Sequence, residues 1–199
     1  MKTAEEETIK ETFIAILGAI EPLSDEAKSS LKNLLFIRRL NRQEYLIREG
    51  DTARYANYLA DGIVRVYYSD DRTEYNKTFF TEHTFPTPLT ALLTGEPSQL
   101  YFQALTPCIM LSFDFQQFKA LSGQHRVFEQ LVLRILEKEW TKKERHDIRM
   151  VTNDAATNYR IFREEYPGLE QKIPQYHVAS YLGVTPIQLS RIRSNKGRT

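Results

Sequence analysis

The stretch 174–193, Pro-Gln-Tyr-His-Val-Ala-Ser-Tyr-Leu-Gly-Val-Thr-Pro-Ile-Gln-Leu-Ser-Arg-Ile-Arg, decides how this chain is read. Pro174 suits the first turn of a helix, where its missing N–H would have no partner anyway. Val178, Ala179 and Leu182 follow at helical spacing and form one apolar face. Ala179 is small enough to let a second helix cross close by. Gly183 provides a residue that accepts positive φ, a common way for a helix to end. Val184 is an apolar plug for the turn. Thr185 is a good N-cap, Pro186 fits the next position, and Gln188 completes a Thr-x-x-Gln capping box. A second helix is therefore expected to start at Thr185. Leu189 and Ile192 face inward on it, and Ile187, Gln188, Arg191 and Ser194 face outward. The pattern is that of a helix-turn-helix whose second helix shows hydroxyl, amide and guanidinium groups suited to a DNA major groove.

The charge distribution agrees. No Asp or Glu follows Glu170, whereas Lys172, Arg191, Arg193, Lys196 and Arg198 do. The whole chain of 199 residues carries a formal charge of only +1, so acidic surface such as Glu5, Glu6, Glu7 and Glu11 offsets the basic end. A composition of 41% hydrophobic and 27% charged residues is that of a globular protein. No apolar run is long enough for a membrane span, and the start lacks a signal-peptide pattern. A cytoplasmic protein is expected. The one cysteine, Cys108, can form no internal disulfide and no metal cluster by itself, and is expected to pack as a small apolar residue in a strand.

From the beginning, residues 4–20 read as a helix and Ser24 as the cap of a second. From Phe36 the period changes to that of short strands, at 36–40, 44–48, 55–60, 63–68 and 74–81, with Asp61-Gly62 as a hairpin signal. Phe85-Pro86-Thr87-Pro88 cannot be a central strand, because each Pro removes a ladder donor. A short helix at 89–93 and strands at 101–105 and 109–113 follow, then a helix capped by Asp114. A long helix is expected over about 126–151. Its stripe of Phe128, Leu131, Val132, Ile135, Leu136 and Trp140 has three- and four-residue spacing. That stripe can pack on the chain's own sheet or on a twin in a second subunit. The helix outruns what one β-domain covers, so the stripe is read as a homodimer interface. A further helix over about 153–166 ends at Pro167-Gly168.

A short-stranded β-domain, a long helix and a C-terminal helix-turn-helix together resemble the Crp–Fnr family of bacterial transcription regulators. The resemblance covers nearly the whole chain and is carried most specifically by Asp61-Gly62-Ile63-Val64-Arg65 and by 178–192. It implies an α+β fold. Residues 1–122 would be an antiparallel β-roll of cyclic-nucleotide-binding type, 123–151 the dimerisation helix, and 152–199 a winged-helix-like domain. A remnant of the family's paired strands is expected at Leu169–Ile173. It also implies a dimer reading pseudo-palindromic double-stranded DNA, with RNA polymerase as a further partner. Arg191 is the first choice for a base contact. Gln188, Ile187, Pro186 and Ser190 are expected at the groove, and Thr185, Arg193 and Lys196 at phosphates.

The ligand site departs from the family pattern. Aligned on Leu89 and Ala104, the ribose-holding Gly-Glu positions hold Thr87 and Pro88. The phosphate-holding Arg position holds Ser98, and the next holds Gln99. A cyclic phosphate needs a cation and donors close together, and the cation is missing. Thr87, Ser98 and Gln99 remain the candidate ligand positions. Neither cAMP nor cGMP is expected to bind tightly, and the effector is unknown. The redox members' N-terminal cysteine cluster is also missing. His83, His125, His146 and His177 could be ligands, but single histidines are ordinarily just solvated. No nucleophile–base pair, metal cluster or phosphate loop points to an enzyme. A β-domain without any ligand, serving a constitutive DNA-binding or protein-interaction module, stays open beside the sensor.

Overall fold

The computed structural model describes residues 2–70 and 73–195. In chain order it places α1 (Lys2–Ile20), α2 (Asp25–Lys32), β1 (Phe36–Leu40), β2 (Tyr45–Ile47), β3 (Tyr55–Asp61), β4 (Val64–Ser69), β5 (Glu74–Phe80), α3 (Leu89–Thr94), β6 (Tyr101–Ala104), β7 (Cys108–Asp114), α4 (Phe115–Leu121) and α5 (Val127–Thr152). Then come α6 (Ala155–Glu165), α7 (Leu169–Lys172), α8 (Gln175–Tyr181) and α9 (Pro186–Asn195). Contacts divide the chain into two compact units, Met1–Val66 with Phe79–Lys138, and Tyr67–Thr78 with Glu139–Thr199. The helix boundaries near 122 and 152 therefore mark elements, while the compact units part within β4, β5 and α5.

The strands form a three-stranded sheet of order β1-β7-β3 and a four-stranded sheet of order β2-β6-β4-β5. The β1/β7, β2/β6 and β3/β7 pairs are antiparallel. One core of the first unit packs α1, α2, α4 and the start of α5 on β3 and β7, around Phe13, Leu17, Leu31, Tyr58, Phe113 and Phe128. A second lies between the strands, around Leu59, Val64, Val66, Phe102 and Met110. Caps read in the sequence are made. The Ser24 hydroxyl accepts from Ala27 N–H, and Asp114 accepts from Gln116 and Gln117 N–H. Gly62 has φ +107°, and a Cβ there would lie 2.6 Å from both Cys108 Sγ and Pro107 O. Only glycine fits that turn. Cys108 is buried, as expected of an apolar strand residue, and burial pushes its thiol pKa up.

The long helix behaves differently along its length. Phe128 and Leu131 are enclosed by the chain's own core, and Val132 and Ile135 pack against it. Phe128 and Leu131, shielded within their own chain, are thereby removed from the expected dimer face, while Val132 and Ile135 are only partly covered. Leu136 is half-buried and Trp140 is 69% exposed. Leu133, Ile148 and Val151 are also exposed.

In the second unit, Tyr159, Phe162, Tyr166, Leu169, Val178, Leu182 and Leu189 are buried. Phe162 contacts the rings of Tyr166 and Tyr181 at 5.3 and 5.4 Å. The expected strand remnant at Leu169–Ile173 is instead the short helix α7. Its Glu170 carboxylate is buried and accepts from Tyr159 O–H at 2.5 Å, with Arg163 Nε at 3.1 Å. A local turn of helix lets that charge reach its partners. None of the described helices is long and apolar enough to cross a membrane.

Candidate nucleic-acid interface and candidate ligand site

Helices α8 and α9 are joined as the sequence predicts. Gly183 takes φ +67°, and Val184 N–H donates to Ala179 O at 3.0 Å, closing the turn. The capping box is reciprocal. Thr185 N–H donates to Gln188 Oε1 at 2.8 Å, and Gln188 N–H donates to Thr185 Oγ1 at 3.2 Å. Two orphan donors of the α9 N-terminus are thereby satisfied. Leu189 is 1% exposed and Val178 fully buried, so one face of α9 seals against α8. Thr185, Pro186, Ile187, Gln188, Ser190 and Arg191 are all exposed. Ile187 is 67% exposed. Arg193 is turned from that face, with its Nε 4.0 Å from the Glu170 carboxylate. Lys196 and Arg198 lie outside the described residues.

Two supports of α8 were not legible in the sequence. Residues 67–78, which are part of the same compact unit, meet it through hydrogen bonds. Asn76 N–H donates to Ser180 Oγ at 3.0 Å, and Ser180 O–H donates to Glu74 O at 2.6 Å. The Asn76 side chain donates to His177 O at 3.2 Å. The other support is Arg149 of α5. Its guanidinium donates to both oxygens of Glu165, one at 2.6 Å, and to Tyr181 O–H at 3.0 Å. The reading of His177 as solvated is corrected, and His146 is half-buried. His177 is 3% exposed, and His146 Nδ1 lies 3.0 Å from Arg149 Nη2 and 3.3 Å from Tyr181 O–H. No sequence pattern relates positions 76, 149 and 181, because long-range packing alone brings them together.

At the candidate ligand positions, the hydroxyls are already engaged. Thr87 Oγ1 accepts from Asn57 N–H at 2.9 Å and donates to Asn57 O at 3.1 Å. Asn57, itself buried, accepts from Ser112 O–H at 2.7 Å. Ser98 is buried, donates to Leu100 O at 2.8 Å and accepts from Leu100 N–H. Gln99 is exposed beside it. Ser98 and Thr87 thus hold their own loops. His83, also exposed, lies 2.6 Å from the hydroxyl of buried Tyr58, and His125 lies 3.2 Å from Ser30 Oγ. Among the described residues no group of three or more His, Cys, Asp or Glu could hold a metal.

These features can be set beside known proteins. Residues 37–125 match the family model of the cyclic nucleotide-binding domain. A sequence search of curated proteins gives no match. FixK2 from Bradyrhizobium japonicum has a similar structure, with TM-score 0.68, 18% identity, and coverage of 81% of this chain and 83% of that one. A CooA variant from Carboxydothermus hydrogenoformans gives TM-score 0.66, 17% identity, and coverage of 86% and 80%. The c-di-GMP responsive global regulator CLP of Xanthomonas campestris gives TM-score 0.66, 14% identity, and coverage of 85% and 89%. At such identities the likeness is one of fold. Residues 37–125 therefore match the cyclic nucleotide-binding domain family, and most of the chain shares its fold with FixK2, the CooA variant and CLP.

Proposed function

We propose that this protein is a dimeric, sequence-specific DNA-binding transcription regulator of Crp–Fnr type, whose β-roll does not answer to cAMP or cGMP. The observation that carries the reading is the α8–α9 pair. It is a helix-turn-helix with a closed turn, a complete capping box and a polar outer face. In such a motif the second helix enters the major groove with its N-terminal residues at the base edges. Arg191 reads guanine through its fork, Gln188 reads adenine or holds a phosphate, and Ile187 meets a thymine methyl. Pro186 and Ser190 flank these contacts. Thr185 and Lys196 serve phosphates, which makes binding salt-dependent. Arg193 is the weakest of the proposed contacts, since Glu170 already faces it.

The dimer is proposed through the part of α5 that its own chain leaves uncovered, with Trp140 and Leu136 joined by Leu133, Ile148 and Val151. A two-fold dimer would set its recognition helices roughly 34 Å apart, over successive major grooves. The proposed partners are double-stranded DNA, a second copy and RNA polymerase, in the cytoplasm. One observation favours a second reading, in which the β-roll is vestigial and binding constitutive. The Thr87 and Ser98 hydroxyls are committed to their own backbone.

Selection from a random duplex pool, with and without cAMP and cGMP, tests the proposal. Enrichment of one pseudo-palindrome in all pools is expected, with a sizing column reporting the dimer. No enrichment would sink the reading. Enrichment only with a cyclic nucleotide would overturn the ligand part.

A further inference from the structure

We infer that His146, Arg149 and Tyr181 form an acid-sensitive node that positions helix α8, so that sequence-selective DNA binding is lost when His146 takes up a proton. The inference rests on the DNA-binding reading above. It starts from one nitrogen. His146 Nδ1 has Arg149 Nη2 at 3.0 Å and the Tyr181 hydroxyl at 3.3 Å, and the ring lies 5.4 Å from the Tyr181 ring. Arginine can only donate. The two Nη2 hydrogens go to Glu165 and Tyr181, and the Tyr181 hydroxyl, which accepts one of them, can donate to Nδ1 when the ring proton sits on Nε2. The node joins the last turns of α5 to α8, and through Glu165 to α6.

Protonation would place an N–H where a donor already points, and a second positive charge beside the guanidinium. The neighbouring carboxylates relieve this only in part. Asp147, next along α5, is paired with Lys143. Both oxygens of Glu165 on α6 are taken by Arg149. Lys77 of β5 adds another cation near Asp147, though its own burial disfavours the charged form. Asp147 and Glu165 favour the imidazolium, but less than burial and the Arg149 charge oppose it. Burial, and then the Arg149 charge, hold the His146 pKa below its ordinary value. Tyr181 is pushed upward by burial, so its hydroxyl stays protonated over the working range. The node is whole at neutral pH and comes apart in acid.

Loss of the node leaves the phosphate-binding charges in place but takes away one of the two supports of α8, which carries the reading helix. Selectivity should fall while non-specific binding persists. The measurement is the ratio of affinities for the selected duplex and a mixed-sequence duplex, followed between about pH 8 and pH 5. In the wild type this ratio should fall by at least about fivefold, a usual size for coupling between sites. His146→Gln supplies an acceptor that cannot be protonated in this range, so its ratio should stay flat. Tyr181→Phe should lower the ratio at every pH. The same pH-dependent fall in His146→Gln, or no fall in the wild type, overturns the inference. A wild type that binds neither duplex at neutral pH instead removes the DNA-binding reading. Proton NMR of the wild-type histidines tests the node without any variant. The expected His146 ring titrates below the ordinary histidine value, and a ring titrating at that value overturns the proposal.

Discussion

The candidate ligand site and the candidate DNA-reading helix use the same kinds of side chain in opposite ways. At the first, the hydroxyls of Thr87 and Ser98 turn inward and are consumed by Asn57 and Leu100. At the second, Ile187, Ser190 and Arg191 are left facing water while Leu189, with Ile192 partly covered, seals the helix. A hydroxyl that both donates and accepts within its own chain, as Thr87 and Ser98 do, is a fastener. A polar group held on a rigid frame with its bonds unmade is available for recognition. The contrast teaches that residue type does not tell a site from a support, whereas the direction of its hydrogen bonds does. The two ends of α5 repeat the lesson for apolar groups, with Phe128 enclosed and Trp140 exposed.

The largest expected effect divides α5. Phe128→Ala should cost about 3–5 kcal/mol, the usual loss for a buried phenylalanine, read by denaturant melts. Trp140→Ala should change monomer stability by less than about 0.5 kcal/mol, as exposed positions do, yet weaken dimerisation on a sizing column. Equal losses in both melts would erase the division.

Next is Arg191→Ala, expected to weaken binding to the selected duplex by about 1–3 kcal/mol and relax preference at one base pair. Unchanged preference would mean that Arg191 is not a reader. Thr87→Val breaks both hydroxyl bonds to Asn57, and should lower stability by about 1–3 kcal/mol, the cost of leaving buried polar groups unpaired. Calorimetry with cAMP should show no heat for either protein. Heat in the wild type that vanishes in the variant would turn this fastener back into a ligand group.

Smaller still is Thr185→Ala, which removes the N-cap of α9 and should cost about 1 kcal/mol. The last effect depends on pH. His146 has a folded-state pKa below its unfolded value of about 6.5. As pH falls, the unfolded chain therefore takes up the proton first. The stability linked to this group is complete above about pH 6.5 and is lost as pH falls toward the folded value, at no more than about 1.4 kcal/mol per pH unit. His146→Gln should flatten that part of the stability profile.

Much of this was legible in local pattern. The caps at Ser24, Asp114 and Thr185 and the turn at Gly183 depend on neighbours a few residues away, whereas the close approach of Gly62 to Pro107 and Cys108 does not. Strand limits agree to within a residue or two, because alternation and turn residues are local signals. The α8–α9 geometry was readable for the same reason. Leu169–Ile173 was misread, since extended and helical turns of that length differ little in pattern, and Glu170's buried partners decided for helix.

The sequence by itself determined the order of elements, the alternation of the β-strands and the capped helix α9, all of which follow from residue type and short spacing. Only the tertiary structure decided that Phe128 and Leu131 face their own core, that Thr87 and Ser98 fasten loops, and that residues 76, 149 and 181 meet around α8. The physical reason is that helical period marks an apolar face but not what covers it. A hydrogen-bond donor likewise has many possible acceptors, and packing over long chain separations selects which is used.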